Sequence, residues 1–160
     1  MDWEEKNLTK WAEEWMQDFF LKAKIELPPV KGSEDPLALT FFKVKVQGDA
    51  SFSIKRGQRI PVFELQIDLS YKAELRLHGG KSSLPAMGEF LFKEFSSTDP
   101  EDPEVKIITD STVPAGQDYL APMLETIQES VKNDGLKSVK KILAEEFLEA
   151  MREAMPEKKT

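Results

Sequence analysis

From Ile60 to Leu77 apolar and polar residues alternate almost without a break. Phe63, Leu65, Ile67, Leu69, Tyr71, Ala73, Leu75 and Leu77 fall on one side, and Glu64, Gln66, Asp68, Ser70, Lys72, Glu74 and Arg76 on the other. A period of two sustained over such a run predicts a β-strand with one buried and one wet face. One-sided strands of this kind belong to antiparallel sheets. Residues 41–55 alternate with the opposite parity: Val44, Val46, Ala50, Phe52 and Ile54 face in, and Lys43, Lys45, Gln47, Asp49, Ser51 and Ser53 face out.

The turn His78-Gly79-Gly80-Lys81 leads to a third strand over 86–94, with Phe90 and Phe92 on one face. An acidic loop, FSSTDPEDPE at 95–104, precedes a short fourth strand over 105–110. Ahead of the strands, residues 7–24 carry Leu8, Trp11, Ala12, Trp15 and Phe19 on one helical stripe. Pro28, Pro29, Gly32 and Pro36 make residues 26–39 a connector without regular structure. The last third is helical. Leu120, Leu124, Ile127 and Val131 form one stripe, and Leu136, Val139, Leu143, Phe147, Ala150 and Met151 form the next. Between them, Asn133-Asp134-Gly135 either ends a helix that restarts or holds a close-packing glycine inside it. The pattern favours one long helix or two nearly collinear ones. The predicted fold is α+β: an N-terminal helix, a four-stranded antiparallel meander and a long C-terminal helix, with both helices on the apolar face. One domain is expected over 1–155, with 156–160 a polar tail or the start of a linker.

Composition narrows the chemistry. The formal net charge of −7 disfavours nucleic acid and anionic membrane surfaces as partners. With no cysteine there is no disulfide, thiolate zinc site or cysteine nucleophile. The single histidine, His78, abuts a Gly-Gly turn and reads as a solvent-exposed turn residue. Asp99, Glu101, Asp102 and Glu104 lack the order and central glycine of a calcium loop. No nucleotide-binding glycine motif occurs. The chain is therefore read as a non-enzyme with no cofactor, no metal and no catalytic residue. MDWEEKNLTK has no signal-peptide pattern and no apolar run approaches a membrane span, so the expected location is the cytoplasm.

GDASFSIKRGQRIPVFEL at 48–65 is the stretch whose function needs explaining. Opposed residues of a hairpin share a face, so the two parities require their numbers to sum to an odd value. Lys55 opposite Ile60 and Ser53 opposite Val62 meet this condition, with a four-residue loop at 56–59. Pro61 could add a bulge. Asp49, Ser51, Ser53, Lys55, Ile60 and Val62 then share the wet face, beside Arg56 and Arg59 at the tip. Cations flanking an exposed apolar pair suit a protein-binding patch with steering charges.

The G-D-x-x-x-x-x-K-R-G pattern, with the alternating strand through F-E-L, resembles the N-terminal domain of the activator of the 90-kDa heat-shock protein ATPase. Trp3, WAEE at 11–14, SSLPAMGEF at 82–90 and VKNDGLKSVKKIL at 131–143 carry the likeness along most of the chain. The resemblance implies a cochaperone that binds the chaperone's middle segment. It implies help for the catalytic loop and for the closed, ATP-hydrolysing dimer. The implied contacts are Lys55 and Arg56 in the turn, Asp49 before it, and Ile60 and Val62 after it; Arg59, at a different position, is expected to substitute by reach for the lysine that the family carries after the glycine. Two departures stand out. Gln58 follows the glycine where the family has lysine, and the family's Asn-Trp-His-Trp motif survives only as Trp3. The family's usual second domain has no counterpart in these residues. A monomer is expected when free. The competing reading is a small-molecule or lipid carrier, with Trp11, Trp15, Phe19, Phe90 and Phe92 lining a cavity.

Overall fold

A computed structural model describes residues 7–30, 36–77, 80 and 82–155. Trp3, His78, Gly79, Lys81, Gly32 and the tail 156–160 lie outside the described residues. Helix α1 spans Thr9–Lys22 and five strands follow: β1 Lys24–Leu27, β2 Leu37–Lys55, β3 Gln58–Leu77, β4 Ser82–Ser96 and β5 Val105–Thr109. They form one antiparallel sheet in chain order, a meander, before a C-terminal helix over residues 121–154. The α+β reading holds, with five strands in place of four. The extra strand comes from both ends of the proline-bearing segment, where Lys24 pairs with Thr40 and Leu27 with Leu37. Four residues of alternation in KIEL are too few to separate a strand from the tail of a helix. The prolines mark the loop between these strands, not a structureless connector over all of 26–39.

One parity change lies where β2 enters the segment read as a connector. Before Phe42 the buried positions of β2 are Leu37, Leu39 and Phe41; after it they are Val46, Ala50 and Phe52. A bulge between Phe41 and Lys43 inserts one residue and exchanges the faces. Phe42, the inserted residue, is 55% exposed.

Both helices cover the same face of the sheet. On α1 the fully buried residues are Ala12, Met16 and Phe20, so the buried stripe is rotated from the one centred on Trp11, Trp15 and Phe19. Those three are half-buried; Trp11 and Trp15 pack against the C-terminal helix, lying 5.7 and 5.4 Å from the Phe147 ring, and Phe19 stacks on Trp15. The N-terminal end of α1 closes the exposed edge of β2. Leu8 N–H donates to the Ala50 carbonyl at 2.7 Å, and Ala50 N–H donates to the Thr9 hydroxyl at 3.0 Å. Edge groups left open would invite pairing with another chain.

The C-terminal helix runs through Gly135 without interruption. Gly135 has φ −63 and ψ −48, and a Cβ there would lie 3.3 Å from Leu39 Cδ2. The glycine is therefore a close-packing point over β2. Ile127, Val131, Gly135, Val139, Leu143, Phe147, Met151 and Met155 are all buried, a repeat of every fourth residue. An ordinary α-helix, at 3.6 residues per turn, would carry such a row around its axis by about 40° per step. Two widened π turns, Val131–Gly135 and Ile142–Phe147, take up the extra residue and keep the row on the sheet. The 3.6-residue reading placed Leu136 and Ala150 on that stripe, and both are only half-buried.

Tyr71, on the central strand β3, is fully buried, and its hydroxyl has no hydrogen-bond partner among the described residues. Burial pushes its pKa up from 10.0 to about 12. Replacing Tyr71 by Phe removes an unpaired hydroxyl and is expected to stabilise the fold by about 1 kcal/mol near neutral pH. Between pH 10 and 12 the unfolded chain loses the phenolic proton while the folded chain keeps it. Wild-type stability therefore falls relative to Tyr71→Phe by about 1.4 kcal/mol per pH unit. Urea unfolding of both proteins at pH 8, 10 and 11 checks this; a constant difference would mean that the hydroxyl is hydrated.

Candidate partner-binding site

The β2–β3 hairpin ends in a two-residue turn. Lys55 pairs with Gln58, and the two residues between them have positive φ, Arg56 at 52° and Gly57 at 81°. This is the left-handed pair that matches the twist of a tight hairpin, and glycine adopts it without steric cost. The four-residue loop at 56–59 and the pairing of Lys55 with Ile60 are thus corrected. Ser53 faces Ile60, Ser51 faces Val62 and Asp49 faces Glu64, and Pro61 pairs with Phe52 without a bulge. The slip is two residues, an even number, so every side chain between the turn and Asp49 keeps its predicted face.

The open face reads as three zones. Lys55 and Arg56 stand exposed at the tip. Ile60 and Val62, 36% and 44% exposed, lie in the middle beside Ser53 and Ser51. Asp49 and Glu64 oppose each other at the far end, both exposed. Six residue steps along the strand separate Asp49 from Lys55, about 20 Å. Glu64 was not among the expected contacts, although the correct register would have placed it there. Two carboxylates directly opposed on a sheet repel, so a cationic group from outside would relieve them.

Arg59 is separated from these residues. It pairs with Ile54, on the side of the hairpin that carries the buried Phe52 and Phe63, and its Nη1 donates to the Met155 carbonyl at 2.8 Å. The expected place at the tip beside the wet-face set is corrected. With a two-residue turn, Arg59 lies within the strand, where parity turns it under the sheet.

A family model described as Activator of Hsp90 ATPase, N-terminal, matches residues 5–155. The chain belongs to this family. A solved structure of Aha-1 from Plasmodium falciparum matches it with a TM-score of 0.53 and 22% identity, covering 96% of each chain, a likeness that shows the shared fold. Among curated proteins none matches. The Aha1 N-terminal family acts on the Hsp90 ATPase as an activator. In this member most of the aromatic residues required by a carrier reading pack against other rings. Trp15 stacks on Phe19 at 4.8 Å, Phe90 packs 5.1 Å from Tyr71, and Phe90 and Phe92 are fully buried.

Proposed function

We propose that this domain docks through the open face of the β2–β3 hairpin onto the middle segment of Hsp90 and stimulates its ATPase. Stimulation comes from helping the catalytic loop into place and favouring the closed dimer. One observation carries the reading: in a chain of the Hsp90-activator family, Asp49, Lys55, Arg56, Ile60 and Val62 share one solvent-facing surface. The chemistry of the three zones gives the contact a direction. Lys55 and Arg56 take an acidic patch of the chaperone, Ile60 and Val62 take an apolar one, and Asp49 with Glu64 takes a basic side chain. Opposite charges at the two ends exclude the reversed orientation, since like charges would then meet. The domain acts as a monomer in the cytoplasm and performs no reaction of its own.

The test is the Hsp90 ATP-hydrolysis rate with this domain in excess, beside a binding titration. Lys55→Ala combined with Arg56→Ala is expected to weaken binding about tenfold or more, and to flatten its salt dependence. The melting temperature should stay within a few degrees of the parent's, because both side chains project into water. Parental binding and stimulation by the double variant would remove the turn from the site.

A further inference from the structure

The underside of the docking hairpin is as informative as its upper face. Cover by the helices ends near the tip: Phe52 is buried, but Ile54, the next residue on that side, is 50% exposed. Apolar packing therefore stops before the last pairs of the hairpin, those that carry Lys55 and Arg56. Across from Ile54 stands Arg59, whose Nη1 donates to the Met155 carbonyl at 2.8 Å, a contact spanning 96 residues of sequence.

Met155 ends the C-terminal helix. Its backbone is extended, with φ −71 and ψ 134, while its N–H still donates to Met151 at 3.1 Å and its side chain is buried. The last carbonyls of a helix have no partner within it and carry the negative end of its dipole. A guanidinium is a fitting donor for such a group, because it is planar, permanently charged and carries several N–H donors. Glu145, Glu149 and Glu153 line an open groove of about 950 Å³ together with Arg59 and Arg152. An acidic surround of this kind favours keeping the Arg59 side chain beneath the sheet.

We propose that Arg59 is a positioning residue: it fastens the underside of the docking hairpin to the end of the C-terminal helix, so that Lys55, Arg56, Ile60 and Val62 are presented in a fixed orientation. This role rests on the docking reading above and differs from direct contact with the partner. A hairpin held in its bound orientation has less freedom to lose on association, and the saving appears as affinity.

Amide hydrogen exchange and Hsp90 binding, each measured on the full chain as parent, Arg59→Gln and Arg59→Lys, test the proposal. In Arg59→Gln the amides of residues 54–60 are expected to exchange about tenfold faster, while those of Leu65, Ile67 and Leu69 stay at the parental rate and show that the fold is intact. Binding should weaken about fivefold, with the slope of affinity against salt unchanged, because no interfacial charge has been removed. Arg59→Lys should recover part of the protection, since an ammonium can also donate to the Met155 carbonyl. Unchanged exchange over 54–60 would overturn the proposal. So would a salt slope reduced as far as in the Lys55→Ala, Arg56→Ala double variant, which would make Arg59 a contact residue. Exchange is read without any partner. Faster exchange in a protein whose parent does not bind Hsp90 would support the tether and reject the docking reading.

Discussion

Phe147→Ala is expected to destabilise the domain by about 4 kcal/mol, the scale for emptying a fully buried aromatic site. Phe147 is fully buried in the second π turn of the C-terminal helix and touches the other two parts of the fold at once. Its ring lies 5.7 Å from Trp11 and 5.4 Å from Trp15 on α1, and 5.5 Å from Phe63 and 5.7 Å from Phe95 on the sheet. Removing it leaves a void whose walls belong to three separate elements, so no single side-chain rotation can fill it. Domains are stable by only about 5–15 kcal/mol, and this loss is a large share of that. The check is urea unfolding followed by tryptophan fluorescence, with a lowered midpoint and an unchanged slope. Phe147→Leu, which fills most of the space, should cost less than half as much. A loss below about 1 kcal/mol for the alanine variant would mean that the helices settle onto the sheet without this joint.

Gly48→Ala comes next, at about 3 kcal/mol, and it bears directly on the proposed docking face. Gly48 has φ +124, a conformation that residues with a Cβ rarely adopt. A Cβ there would collide with the Glu64 carbonyl oxygen and lie 3.1 Å from Leu65 Cα. Both obstacles are backbone, so the strands themselves must separate. Asp49 and Glu64, the opposed carboxylates of the proposed docking face, would move with them. Gly48→Ala should therefore lower both stability and Hsp90 affinity, whereas Lys55→Ala with Arg56→Ala lowers affinity alone. A melt and a binding titration on each variant distinguish the two patterns. A Gly48→Ala protein that melts like the parent would show that the strands yield there at little cost.

The two-residue period alone determined which side chains share a face. It depends only on the alternating direction of successive Cβ atoms, and it survives any even slip of register. For that reason Asp49, Lys55, Ile60 and Val62 were placed on the open face from sequence while their cross-strand partners were misassigned. The glycines at 48 and 57 were legible as landmarks of the hairpin, but the φ values that make them necessary were not. Register itself was decided by the backbone of Arg56 and Gly57, whose paired left-handed conformation shortens the loop to two residues.

Other features required the assembled fold. A bulge at Phe42 exchanges faces where the apolar positions pass from odd (Leu37, Leu39, Phe41) to even (Phe42, Val44, Val46); the adjacent phenylalanines mark the change, but reading 26–39 as a connector hid the half of the strand that shows it. β1 exists because β2 offers it an edge; four alternating residues carry no such instruction by themselves. The buried row of the C-terminal helix follows every fourth residue because two π turns replace the drifting stripe of a regular α-helix. Arg59 shows the same division most clearly. Its charge and its place near a turn were evident in the sequence, but its partner is a carbonyl at Met155, near the far end of the chain. Local pattern fixes direction along a strand, while long-range contacts fix what each direction meets, and only the closed tertiary structure brings residues 59 and 155 together.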